Sequence, residues 1–249
     1  MKSYSDRNKK LGQCFLEDQN ILKLEAKIAN IKNKVVLEIG AGDGRLTSWL
    51  LQANPKRLIV VELDPRFVSI LKEKFSDKIE VIEGDFLELV PPEVDIVVGN
   101  IPYYISSDIV FKLAKLKIEK AILMVQKEFA QKMIANPKEK NYGRLSVTSQ
   151  IAFDVKLERI VLRHLFKPTP KVDSAIIILK PTGVKINQFQ ENIIRWLFQH
   201  KNKTVRNSLL DSKMFNKNEI EILGEYLKKR PRILTKENCL EIAKILAKV

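Results

Sequence analysis

Cysteine and histidine are scarce, two of each in 249 residues. Cys14 and Cys239 stand far apart and form no C-x-x-C, so neither a disulfide framework nor a cysteine-based zinc site is expected. His164 and His200 are too few for a histidine-rich metal centre, and no metal is expected. Nine glycines and ten prolines exclude a low-complexity or fibrous chain. No apolar run approaches the roughly 18 residues that cross a bilayer. Met1 to Leu11 is polar and basic with no apolar stretch behind it, so no secretory signal is expected. A reducing cytoplasm is the expected compartment, with no membrane partner. Negative charge is the minority: 30 Asp and Glu stand against 44 Lys and Arg, a net +14. That excess creates a positive field and points to a polyanionic partner, most often nucleic acid. What remains, 45% hydrophobic and 30% charged, is the balance of a globular protein.

Short apolar runs rich in Val and Ile recur at 35–39, 57–62, 79–82, 94–98 and 121–125. Such runs suit strands buried on both faces of a parallel sheet. Between them lie helical stripes, Leu46, Trp49, Leu50 and Ala53, then Phe67, Ile70, Leu71 and Phe75. Ser106-Ser107-Asp108 reads as an N-cap cluster opening a third helix through Leu116. This alternation predicts a doubly wound, Rossmann-like α/β sheet with right-handed crossovers. Runs at 156–162 and 174–179 predict two later strands, an antiparallel pair at the sheet edge. Lys180-Pro181-Thr182-Gly183 is a breaker cluster. Beyond it only helical spacing remains, at 189–198, 203–210, 218–227 and 236–247. The expected division is therefore an α/β domain, 1–181, and a small all-helical C-terminal domain, 182–249. The latter is the denser cation, with fourteen basic and seven acidic residues from Pro181 onward.

Glu38-Ile39-Gly40-Ala41-Gly42-Asp43-Gly44 follows the first strand and precedes the first helix. Glycines there let backbone approach a ligand. The spacing is G-x-G-x-G, not the G-x-G-x-x-G of a dinucleotide fold. Glu62 ends the second strand, where a carboxylate can accept from both ribose hydroxyls of a nucleoside. Asp85 follows the third strand and can read an adenine's exocyclic amine. Each alone is equally a turn residue or helix cap. Together they describe an adenosine site without a pyrophosphate, which fits S-adenosyl-L-methionine better than NAD.

The fourth strand ends in Gly99-Asn100-Ile101-Pro102-Tyr103. Methylating an adenine N6 is awkward because its lone pair is delocalised into the ring. Two acceptors holding its hydrogens favour a more tetrahedral nitrogen and aim the lone pair at the methyl group. Asn100 Oδ1 and the Ile101 carbonyl can supply both. Pro102 fixes the turn that points them inward, and Tyr103 can stack on the purine, a contact worth roughly 1–3 kcal/mol. Positioning and preorganised electrostatics, not a strong base, would carry the rate.

With these stretches the chain resembles the small-subunit ribosomal RNA adenine N6,N6-dimethyltransferases, archaeal members above all. The matching blocks are residues 12–16, 38–44, Glu62, Asp85, 100–103, 126–129, 142–147 and 166–175. The resemblance implies that Phe166 sandwiches the target base opposite Tyr103. It also implies that Gln13, Cys14 and Leu16 close over the methionine end of the donor. Many bacterial members carry Asn where this chain has Cys14, so what carries over there is a backbone contact. The implied reaction is dimethylation of two neighbouring adenosines in a hairpin near the 3′ end of small-subunit rRNA, on assembling subunits. Lys201, Lys203 and Arg206 are candidate phosphate contacts. Arg144 is another, with a structural ion pair as its alternative. A monomer is expected, because the partner surface is RNA. Three other readings stay open: a related large-subunit rRNA methyltransferase, a non-enzymatic assembly or transcription factor on the same fold, and a dehydrogenase, which the glycine spacing disfavours.

Overall fold

The computed structural model describes residues 14–200 and 202–248. The chain divides into two compact units, one of residues 1–130 with 156–181 and one of 131–155 with 182–249.

In the first unit, strand β1 (Phe15–Leu16) leads into helix α1 (Gln19–Ala29). Asp18 caps α1 by accepting the Ile21 N–H at 2.9 Å. The remaining elements alternate: β2 (Val35–Ile39), α2 (Arg45–Gln52), β3 (Arg57–Glu62), α3 (Pro65–Phe75), β4 (Glu80–Glu83), β5 (Ile96–Asn100), α4 (Ser106–Leu113) and β6 (Lys120–Gln126). Helix α5 (Lys127–Ile134), α6 (Arg144–Ala152), β7 (Phe153–Val161), β8 (Phe166–Lys167) and β9 (Ser174–Pro181) follow. The main sheet runs β4-β3-β2-β5-β6-β9-β7. Strands β2 to β6 are mutually parallel, and β9 lies antiparallel to β6. The doubly wound order follows from the buried Val/Ile runs: β2, β3, β5 and β6 are almost wholly buried, as strands covered on both faces must be. Helices α1 and α2 supply Leu22, Ala26, Ala29, Leu46 and Leu50 to a core with Val36, Leu58, Val60, Ile96 and Val98. The two late strands are neighbours at one edge of the sheet, as expected, with β9 beside β6 and β7 outermost. Ser106 is the first residue of α4 rather than its cap; its hydroxyl donates to the Pro102 carbonyl at 3.3 Å, and the helix stops at Leu113.

The second unit is helical. Its helices are α6, α7 (Gln188–Gln199), α8 (Val205–Asp211), α9 (Lys217–Ile220) and α10 (Lys236–Leu246). Its core joins Tyr142, Val147 and Ile151 to Ile193, Leu197, Leu209, Leu223 and Ile242. That shared core is why residues 131–155 group with the C-terminal helices, a difference from a cut at 181/182 alone. The Tyr142 hydroxyl donates to the Leu234 carbonyl at 2.6 Å, and the Lys236 ammonium to the Gln150 carbonyl at 2.9 Å. The helical spacing at 218–227 is broken: α9 ends at Ile220, and Gly224 adopts φ 52°, ψ −121° inside the 3₁₀ stretch that follows. Among the described residues no helix is long and apolar enough to cross a membrane.

Candidate functional site

The sheet order reverses between β2 and β5, and open α/β sheets bind ligands at such a point, outside the carboxyl ends of the strands. A crevice of about 220 Å³ opens there. It is lined by Cys14, Leu16, Gly40, Gly42, Glu62 and Asp85, and also by Asn100, Ile101, Pro102, Tyr103 and Phe166. Eleven sequence-derived candidates thus share one cavity. Gln13 and Lys201 lie outside the described residues. Arg144, Lys203 and Arg206 belong to the helical unit.

Each wall has a local cause. Gly42 stands at φ 55°, and a Cβ there would lie 2.7 Å from the Phe15 ring, so glycine is what lets that ring close on the loop. The Gly42 N–H donates to Glu62 Oε2 at 2.8 Å, and the Asp64 N–H to Glu62 Oε1 at 2.9 Å. The backbone holds the carboxylate at both oxygens, with a further backbone donor at Leu63. Burial pushes the Glu62 pKa up; the backbone donors from Asp64 and Gly42 oppose it. Asp85 Oδ1 accepts the Leu87 N–H at 2.8 Å. The loop beyond it is tied down by Lys112 of α4, whose ammonium donates to the Phe86, Leu87 and Leu89 carbonyls and stands 4.8 Å from the Phe86 ring centroid. Burial lowers the Lys112 pKa, against the opposing charge of Asp85.

At the other wall, the Tyr103 hydroxyl lies 2.7 Å from Ser174 Oγ, and burial raises its pKa. Strands β1 and β8 form a two-stranded antiparallel ribbon that sets Leu16 opposite Phe166. The same ribbon therefore places both a donor-side residue and the second aromatic. Two carboxyls that sequence patterning did not single out belong here, Glu38 in the crevice lining and Glu25 outside it. Glu38, 1% exposed, accepts the Thr47 hydroxyl at 2.7 Å, and burial pushes its pKa up to about 8. Glu25 of α1 is fully buried; burial, then the charge of Glu38, push it up to about 8, against a hydrogen bond from Asn100. The hydrogen-bond network orients the Asn100 amide with Nδ2 2.9 and 3.1 Å from the two Glu25 oxygens. Tyr104, 61% exposed, also lines the crevice and was likewise not anticipated.

In the helical unit, Lys203 pairs with Asp211 at 2.7 Å and Arg206 with Glu221 at 2.8 Å. Both pairs are exposed and therefore weak. A separate groove is lined by Lys228, Lys229, Arg230, Arg232, Glu225 and Ile233, four cations to one acid.

A family model described as ribosomal RNA adenine dimethylase matches residues 4–248. The chain belongs to the ribosomal RNA adenine dimethylase family. It is 42% identical over 243 residues to a probable ribosomal RNA small subunit methyltransferase A of Methanopyrus kandleri, covering 94% of this chain and 87% of that one. It is 38% identical over 257 residues to the protein of the same name from Pyrococcus furiosus, covering 98% and 93%. Among solved structures it resembles a dimethyladenosine transferase from Plasmodium falciparum, with TM-score 0.83, 31% identity and 94% and 98% coverage. It also resembles the 23S rRNA methyltransferase ErmE, with TM-score 0.69, 31% identity and 94% and 99% coverage. As a ribosomal RNA adenine dimethylase the chain is an enzyme of methyl transfer, and S-adenosyl-L-methionine is the donor. The residues present fit that donor. Glu62 and Asp85 offer acceptors for hydroxyls and an amine, and the glycine loop makes no demand for a diphosphate.

Proposed function

We propose that this adenine dimethylase converts two adjacent adenosines, in a hairpin near the 3′ end of small-subunit rRNA, to N6,N6-dimethyladenosine on assembling small subunits. The observation that carries the reading is one crevice lined by the Asn100 carboxamide, the Tyr103 and Phe166 rings and the Glu62–Asp85 adenosine wall. S-adenosyl-L-methionine, when bound, supplies an electrophilic methyl group on a sulfonium. The protein's part is to bind and aim. Glu62 receives the ribose hydroxyls, Asp85 the adenine amine, and backbone at Gly40, Gly42, Cys14 and Leu16 the methionine end. Asn100 Oδ1 and the Ile101 carbonyl hold the hydrogens of the target N6, directing its lone pair toward the methyl carbon. Tyr103 and Phe166 clamp the base, which must leave its stack to enter. Pro102 fixes the turn between carboxamide and ring. Arg144, Lys201, Lys203 and Arg206 contact RNA phosphates, joined by the cations at 228–232; phosphate contacts position RNA without reading its sequence. The enzyme acts as a cytoplasmic monomer.

The test is methyl transfer from labelled donor to immature small subunits lacking the modification, followed by nucleoside analysis. N6,N6-dimethyladenosine at two neighbouring positions of small-subunit RNA is expected; its absence refutes the reading. The likeness to ErmE supports a second reading, methylation of large-subunit rRNA. Offering both rRNAs as acceptors separates the two.

A further inference from the structure

We propose that Glu25, buried beneath the crevice, is a positioning residue that sets which end of the Asn100 carboxamide faces the target amine. The proposal rests on the role given to Asn100 above. Glu25 sits on the inward stripe of α1 with Ile21, Leu22, Ala26 and Ala29. Packing alone would be served there by an aliphatic side chain; a carboxyl at 0% exposure carries a large desolvation penalty. Glu25 does not line the crevice. What it meets is the carboxamide that does, with Asn100 Nδ2 at 2.9 and 3.1 Å from its two oxygens.

The chemistry of the pair is asymmetric. An ionised carboxylate only accepts. It therefore takes the Nδ2 hydrogens and leaves Oδ1 for the crevice, the orientation that can receive hydrogens from an exocyclic amine. A protonated Glu25 carries a donor. It bonds equally well to Oδ1 and so stabilises the carboxamide turned by half a rotation, which offers NH₂ to an amine that itself needs acceptors. Charge on Glu25 therefore selects the productive rotamer. The groups that bear on that charge are few. Glu38 faces it from β2 and opposes ionisation. Asn100 of β5 is neutral and favours it. Helix α2 brings Thr47, neutral and bonded to Glu38. Lys120 of β6 reaches α1 only near its end, at the Ile28 carbonyl, 3.4 Å away. With the carboxyl pushed up to about 8 by burial, the ionised fraction grows as pH rises through that value.

The experiment compares the wild-type chain with Glu25→Gln and Glu25→Leu. Turnover is measured at saturating donor on immature small subunits, and donor affinity by calorimetry. Glu25→Leu is expected to lose turnover by on the order of tenfold or more while donor affinity is retained. Glu25→Gln, which carries both an acceptor and a donor, is a permanent mimic of the protonated acid; it is expected to hold turnover at the wild-type low-pH level, without the wild-type rise in kcat toward alkaline pH. A readout independent of activity is the Asn100 side-chain NH₂ resonance in donor-free protein. It is expected to titrate in wild type and to stand still in Glu25→Gln. If both variants merely melt earlier, with wild-type kcat and pH profile, the residue is only structural and the proposal falls. It falls equally if the Asn100 resonance does not move from about pH 6 to 10 in wild type. Asn100→Ala separates the two levels. Normal turnover by that variant overturns the site reading itself. An inactive Asn100→Ala beside a fully active Glu25→Leu overturns only the role of Glu25.

Discussion

Substituting Gly99 by alanine strikes the point where the two halves of the sheet meet. Gly99 is the penultimate residue of β5, beside Asn100, and a Cβ built on it would lie 2.6 Å from the Ile39 carbonyl oxygen of β2. An ordinary C···O contact begins near about 3.3 Å, so the strands must part by roughly 0.7 Å. The obstacle is backbone, with Ile39 Cβ also only 3.3 Å from the built atom, and no side chain can rotate aside. Overpacking of this kind costs about 1–3 kcal/mol. For a chain of this size that lowers the melting temperature by roughly 2–12 °C. The displacement falls on Gly40 from one strand and on Asn100 from the other, so donor and base amine lose their alignment. A misplacement approaching 1 Å costs on the order of 100-fold in rate. Thermal unfolding and single-turnover methyl transfer, run side by side, read both numbers. Gly143→Ala is the control, because Gly143 is extended at φ −173° with nothing within 4 Å of a built Cβ; its stability is expected to change by less than about 0.5 kcal/mol. If Gly99→Ala melts and turns over like wild type, the account of a tightly closed switch point is wrong.

Two further outcomes follow from groups around the crevice. Replacing Lys112 by methionine strips a charged donor from the carbonyls of Phe86, Leu87 and Leu89; calorimetry should show donor binding weakened by about 1–3 kcal/mol, and unchanged affinity would refute the tie to the Asp85 loop. Glu25 and Glu38 titrate near 8 in the folded chain against 4.5 unfolded, so the folded state holds more protons between those values. Their stability contribution is full below the unfolded value and lost as pH rises through the folded one. The melting temperature of donor-free protein should therefore fall across that window, with a shallower slope in Glu38→Gln, and equal slopes would refute it.

The parallel strands and the wall of Glu62, Asp85 and Asn100 were legible because strands buried on both faces read as unbroken Val/Ile runs and their ends carry the chemistry. Helix α1 was not read, since Glu25 interrupts its apolar stripe with an acid whose partner is 75 residues further along. The segment 131–155 reads as more of the α/β alternation; only the packing of Tyr142, Val147 and Ile151 on Ile193 and Leu197 reveals its allegiance. The expected helix over 218–227 ends at Ile220, and the apolar periodicity runs on through a 3₁₀ stretch kinked at Gly224. The cations at 228–232 were not singled out because sequence does not show that they line one groove. Glu62 was visible as a strand-end acid, whereas the Gly42 N–H that holds it comes from a loop 20 residues earlier whose path is a tertiary fact.

The ribbon of Phe15–Leu16 with Phe166–Lys167 has a consequence for synthesis. A chain grows from its N-terminus, so the first of these strands must wait for a partner made long after it. The walls at 40, 62, 85 and 100 are all translated before that partner exists. A nascent or truncated chain ending short of 166 has no second ring and lacks the strand that pairs with the segment over the glycine loop. Both walls of the crevice are present only once about two thirds of the 249 residues have been made.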